Sequence, residues 1–204
     1  MPDMAVVGPW AREKLDALAR YLDFYTKVLK NQPWRTIYVD GFAGGGRARI
    51  RKDTAPAGDV IPLFELETEA DADQTELIDG SPRIALNVAK PFSRYVFIEN
   101  DPKRCAELEA VRREFEGARE IDILPMGAAE GIEWVTARPI ARSTHRGVAF
   151  LDPFGAHLEW ASIQKLANTE IFEVVVNFAL SMAIQRMLPN SGEIPDAWAK
   201  TLDA

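Results

Sequence analysis

Three carboxylates each close a short apolar run: Asp40 in "TIYVDGFAGGGR", Glu99 in "RYVFIEN" and Asp152 in "GVAFLDPFG". The first is followed by Gly41, Phe42, Ala43, Gly44, Gly45 and Gly46, so that Asp40–Gly46 fits D-x-F-x-G-x-G. Glycines suit a place where a ligand must touch the main chain, because a Cβ would hold it off and some turns need φ > 0. A nicotinamide fingerprint counted from Gly44 would put its third glycine at residue 49, which is Arg49, and the Lys-Ser/Thr pair of a phosphate loop is absent. The glycines therefore suit a ligand without a pyrophosphate. Taken alone, they are equally consistent with a plain turn.

Glu99 is placed to accept hydrogen bonds from both hydroxyls of a ribose. The alternative is that Glu99 and Asp101 cap the next helix. Asp101 suits that task because Pro102 follows it, whereas Glu99 comes two residues too early. Asp152, Pro153 and Phe154 set a carboxylate, a carbonyl and an aromatic face side by side. An amine or planar ring could be hydrogen-bonded by the first two and stacked on the third. A strand-ending turn with a buried Phe is the competing account.

The surrounding elements alternate. A helix spans about 11–30, with Leu15, Leu18, Leu22, Tyr25 and Leu29 on one face. Residues 35–40 form a short β-branched strand, and a polar insertion loop follows over 47–79. The next helix starts near residue 81, with Ser81 expected as N-cap and Pro82 at N1. Strands follow at 94–100, 121–126, 147–152 and 172–178, with helices at 101–115, 129–137, 158–168 and after 178. Most of these strands are apolar throughout, as in a parallel sheet covered on both faces. The expected fold is a single α/β domain over 1–204, doubly wound and Rossmann-like, with its ligand beyond the carboxyl ends of the strands. Residues 194–204 read as the start of another helix and not as the two strands that would close such a sheet, so the C-terminal end is expected to be truncated.

Composition narrows the classes. The chain has 204 residues, a net charge of −7 and one cysteine, Cys105. That charge argues against a stand-alone nucleic-acid binder. The positive charge is local, at 47–52, 111–115, and Arg138, Arg142 and Arg146, while 64–80 is acidic; solvated surface accounts for both kinds of run. No apolar run approaches a membrane span, no secretory signal is visible, and a lone cysteine excludes a disulfide framework, so a soluble, cytoplasmic protein is expected. His145 and His157 belong to no ligand-spaced cluster, so no metal site is expected.

Glycines, ribose acid and D-P-aromatic, in this order, resemble class I S-adenosylmethionine-dependent methyltransferases. "GPWAREKLDALARYLDFY", "YVDGFAGGGR", "GSPRIAL", "YVFIEND", "VAFLDPFG" and "VVVNF" further resemble the three-Cys-motif partner proteins, over about residues 8–180. The resemblance implies that Asp40, Gly41, Phe42, Ala43, Gly44 and Gly46 line the methionine end of the cofactor. Glu99 would take the ribose, and Asn100 would flank the adenine. Ala128 stands where such enzymes often place an acid on the adenine amine, which leaves that task to backbone groups or Glu130. Asp152, Pro153 and Phe154 resemble the D-P-P-[YF] motif of amine methyltransferases, with one proline in place of two. The implied acceptor is an amine of a nucleic acid or of a partner-presented substrate, and the implied partner is a three-Cys-motif protein. A non-catalytic subunit on the same scaffold, with the acidic 64–80 segment as its contact, is the alternative.

Overall fold

The computed structural model describes residues 6–7, 10–51, 75–153 and 158–177. In chain order its elements are β1 (Val6–Val7), α1 (Trp10–Leu29), β2 (Arg35–Asp40), β3 (Arg47–Arg51), β4 (Thr75–Asp79), α2 (Ser81–Leu86), β5 (Arg94–Ile98), α3 (Pro102–Glu114), β6 (Ile121–Leu124), α4 (Ala128–Thr136), β7 (His145–Leu151), α5 (Trp160–Asn168) and β8 (Phe172–Val176). Five strands form one parallel sheet in the order β6-β5-β2-β7-β8. Chain order reverses at β2, the first strand of this sheet: β5 and β6 build outward on one side, β7 and β8 on the other. Such a reversal leaves a crevice between β2 and β7 at the carboxyl edge.

Alternation along each strand divides the core in two. Tyr38, Tyr95, Phe97, Val148 and Phe150 pack with Leu18, Leu22 and Tyr25 of α1, Ala85 and Leu86 of α2, and Leu108 and Val111 of α3. Their neighbours Ile37, Val39, Val96, Ile98, Ala149 and Leu151 pack with Ile132 and Val135 of α4 and Leu166 of α5. The α1–α3 face is aromatic, and Tyr38, Phe92, Tyr95 and Phe97 meet there with ring centroids 5.6–6.4 Å apart. The opposite face is mainly aliphatic, with Phe172 as its buried aromatic. Gly131 lets α4 lie close on it, since a Cβ there would stand 2.6 Å from two carbons of Ile98.

Two local expectations change. The segment 47–79 begins and ends as strands, β3 and β4, paired antiparallel with Arg47 opposite Asp79 and Arg51 opposite Thr75; β1 joins them in a second, small sheet. The run "RARIR" is thus alternating and not merely charged: Ile50 is buried while Arg47 is exposed and pairs with Asp79 at 3.4 Å. Ser81 is also not the cap of α2. Gly80 takes that position with no side-chain cap, and Ser81 becomes the first helical residue. At α3 the expectation holds, with Asp101 accepting from the Lys103 N–H at 2.7 Å. Residues 52–74 and everything after 177, including the expected last helices and the C-terminal truncation, lie outside the described residues.

Phe97 is wholly buried at the centre of the aromatic face, whereas Phe24 on α1 is 67% exposed. Phe97→Ala should destabilise the chain by about 3–5 kcal/mol through lost burial and a cavity, and Phe24→Ala by no more than about 0.5 kcal/mol. Urea denaturation followed by fluorescence distinguishes the two.

Candidate functional site at the carboxyl edge

Strand register brings the three sequence-predicted acids together. Asp40 lies level with Phe97 on β5 and Phe150 on β7. Glu99 and Asp152 each follow two residues later, as their strands leave the sheet, so β2 ends in a glycine loop flanked by one acid on each side. Contacts set all three toward the α1–α3 side: Ser81 at the start of α2 hydrogen-bonds Asp40, Glu99 holds the backbone at the start of α3, and Lys14 of α1 pairs with Asp152.

Asp40 has no exposed surface. Its Oδ2 accepts from the Tyr38 hydroxyl at 3.2 Å and its Oδ1 from the Phe42 N–H at 3.3 Å. Burial disfavours the carboxylate and pushes its pKa up to about 7, against the lowering effect of Ser81, Phe42 and Tyr38; the nearby charge of Asp152 adds to the rise. Burial, Asp40 and Asp152 together raise the Tyr38 phenol as well.

Glu99 is a fastener as well as a candidate ligand group. One carboxylate oxygen accepts from the Gly44 N–H and the other from the Asp101 N–H, both at 2.9 Å. It ties the glycine loop to the entry of α3, and each oxygen keeps a further lone pair. Cys105 donates its thiol to the Glu99 carbonyl at 3.1 Å, and burial raises the thiol pKa, as expected of a packing residue.

The glycine loop has the backbone its composition implies. Gly44 and Gly46 adopt φ +62° and +83°, which side chains strain to reach. A Cβ on Gly44 would meet nothing within 4 Å, so that stretch of main chain is open. Gly45 is filled on its free side by the carboxylate of Glu107, whose pKa is raised by burial. Gly41 continues the ladder, donating to the Phe150 carbonyl at 2.9 Å, and a Cβ there would stand 2.6 Å from Leu151. Ala43 is buried and donates to the Ile98 carbonyl at 3.0 Å.

Asp152 is held from two sides, by the Lys14 ammonium at 2.5 Å and the Asn177 amide at 2.6 Å. Pro153 is buried beside it. Asn100 is exposed. Ala128 is the first residue of α4, behind an N-cap Gly127 whose Cβ direction is also open. Phe154 and His157 lie outside the described residues. His145 begins β7 and so sits at the opposite edge. Among the described residues no group of His, Cys, Asp and Glu could hold a metal, and no helix is long and apolar enough to cross a membrane. Two cavities among the described residues, of about 410 and 300 Å³, are lined by none of these acids.

Sequence reasoning missed Lys14, Tyr38, Ser81 and Asn177. Asn177 had a usable signal: like the three acids, it is a polar residue ending an apolar strand. Lys14 had none, since a charged residue in the first turns of an amphipathic helix reads as solvated surface.

The buried acid carries a pH signature. The unfolded chain releases the Asp40 proton near pH 4, but the folded chain keeps it to about pH 7. Between these values the folded state holds the extra proton, so this group makes stability fall as pH rises, by up to about 4 kcal/mol in all. Asp40→Asn should flatten that decline between pH 4 and 7 in thermal denaturation; an unchanged slope would show that Asp40 is ionised throughout.

No family model and no curated protein matches the sequence. Solved structures resemble its fold. A protein from Legionella pneumophila str. Philadelphia 1 superposes with TM-score 0.53 at 15% identity, covering 93% of this chain and 72% of that one. A candidate methylase from Haemophilus influenzae gives TM-score 0.44 at 14% identity, covering 78% of each chain. A candidate methyltransferase from Escherichia coli gives 0.38 at 13% identity, covering 74% of this chain and 61% of that one. At these identities the likeness is one of fold, and the Legionella structure carries it: the chain is a doubly wound α/β protein with a mostly parallel sheet.

Proposed function

We propose that the carboxyl edge is an S-adenosylmethionine site and that the chain is a methyltransferase acting on an amine. The observation that supports this most is the convergence of Asp40, Glu99 and Asp152 around the glycine loop at the point where strand order reverses. The residues fit the cofactor in three respects. The main chain at Gly44 and Gly127 is open to a ligand. Glu99 keeps lone pairs for a ribose diol. Asp40 can pass from neutral to anionic when a cation approaches, since its pKa lies near 7.

In this reading Gly44 and Gly46 shape the loop that touches the amino-acid end, Asp40 answers its positive charge, and Glu99 holds the ribose. Asn100 and Ala128 border the adenine. The bound cofactor supplies an electrophilic methyl group. Asp152 and the Pro153 carbonyl accept from the incoming amine and hold its lone pair in line, so that orientation lowers the barrier. Phe154 supplies the stacking face. The Lys14 ammonium already occupies one oxygen of Asp152. An acceptor amine therefore displaces Lys14 or enters beside it. The acceptor class is a nucleic-acid amine or one presented by a partner, and the sequence resemblance points to a three-Cys-motif protein as that partner.

One observation favours a second reading, a non-catalytic partner subunit. All four carboxylate oxygens of Glu99 and Asp152 already have donors within the chain, which suffices for a purely structural role.

Calorimetry with S-adenosylhomocysteine separates the two. The methyltransferase reading expects saturable binding, weakened by roughly tenfold or more in Glu99→Ala, which loses a charged hydrogen bond, and in Asp40→Ala, which loses the countercharge. Lys14→Met should leave that binding intact. Because Asp40 ionises on meeting the cation, binding at pH 6 should release a proton, visible as a heat that varies with the buffer. Absence of heat and of any thermal shift at millimolar ligand would leave only the subunit reading.

A further inference from the structure

The opposite edge of the sheet, where the strands begin, carries a second constellation. Arg35 opens β2, Arg94 opens β5, His145 opens β7, and Arg138 follows α4; with Ser93 and Glu120 they line the cavity of about 300 Å³. We propose that this amino-edge cleft is a binding site for the phosphate group of a phosphate ester. Its five-residue separation from Asp40 along β2 is roughly 16 Å at strand rise, so it is a distinct site and stands whether or not the carboxyl-edge reading holds.

The cleft has more donors than acceptors. Three guanidiniums face one lining carboxylate, Glu120. Arg94 is satisfied by Asp122 at 2.6 Å and lies 3.5 Å from Glu120. Arg35 has only a 3.3 Å contact with that same Glu120, and its side chain is 63% exposed. Arg138 uses one N–H on the Trp134 carbonyl at 2.7 Å and lays its guanidinium 3.0 Å from the centroid of the Trp134 ring. These two contacts hold the guanidinium over the ring, and its other N–H groups have no acceptor among the described residues. A pre-oriented guanidinium fork beside a second, underused one suits a tetrahedral oxyanion. A cation would meet three like charges, and an apolar ligand would strip water from Arg35 and Arg138 with no return.

The neighbouring cavity of about 410 Å³ shares Arg138 and Ile140 with this one, so they form the wall between the two. Its far side holds Asn168, a donor and acceptor, and the Glu133–Lys165 ion pair. A phosphate held by Arg35 and Arg138 can therefore lead its organic part across Ile140 into a polar lobe. A free mononucleotide and the backbone of a single-stranded nucleic acid both supply that chemistry.

The test is calorimetry on the whole chain at constant ionic strength with inorganic phosphate, uridine monophosphate and a short oligouridylate. Parent protein is compared with Arg138→Ala and with Arg35→Ala/Arg138→Ala, each first shown to melt as the parent does. Saturable binding should weaken roughly tenfold or more in the double variant. Uridine monophosphate binding at least as well as the oligomer would identify the free ester as the source, and a tighter, salt-dependent oligomer would identify a nucleic-acid backbone. Failure of all three probes to bind at millimolar concentration, or equal affinity in parent and double variant, would overturn the site.

Discussion

Asp40 is a carboxyl group without solvent, and the carboxyl edge is organised around that fact. A group so buried must be hydrogen-bonded or neutral, and the chain supplies donors from three places. Tyr38 reaches it from two residues earlier on the same strand, Phe42 offers the first N–H of the glycine loop, and Ser81 comes from the start of α2. Those donors couple strand, loop and helix. The turn after β2 cannot relax without stripping a donor from a buried acid, and α2 cannot shift without withdrawing Ser81. Gly80 has the same consequence in the main chain, since its N–H donates to the Gly46 carbonyl at 2.9 Å and a Cβ there would crowd Gly46.

The two other acids act as braces on either side. Glu99 spans the loop of β2 and the entry of α3 with two backbone hydrogen bonds, a use of a carboxylate that is worth more than an exposed ion pair because its donors are fixed. Asp152 spans α1 and the exit of β8 through Lys14 and Asn177. Asp40 and Asp152 also sense each other, since the charge of the second raises the pKa of the first. A positive charge near Asp40 would favour its ionised form, as the charge of Asp152 disfavours it.

The amino edge has the reverse character. Arginines at strand starts pair with acids on neighbouring strands, as Arg94 does with Asp122, and stack on indoles, as Arg146 does on Trp34 at 4.1 Å and Arg138 on Trp134. In this chain of net charge −7, three strands end in acids, whereas guanidiniums at the strand starts are paired with acids of their own. The aromatic layer on the α1–α3 face lies between them as a rigid spacer, its rings buried and in mutual contact.

Much of this was legible in the residues alone. Apolar runs ended by single acids identify parallel strands and the edge at which a ligand belongs, because a strand buried on both faces has no alternation and function collects where burial stops. Asp101-Pro102 marked the start of α3 through local chemistry that needs no partner. Other features depend on contacts distant in sequence, and no local pattern reports those. Lys14 meets Asp152 across 138 residues and Arg35 meets Glu120 across 85; Ser81, which locally looks like a cap, turns to Asp40 because Gly80 took the capping place. Residue type and spacing determined which groups could do chemistry. Only the sheet register and the helices laid across it decided which of those groups meet, because side-chain pairing is set by packing, and packing is a property of the folded chain.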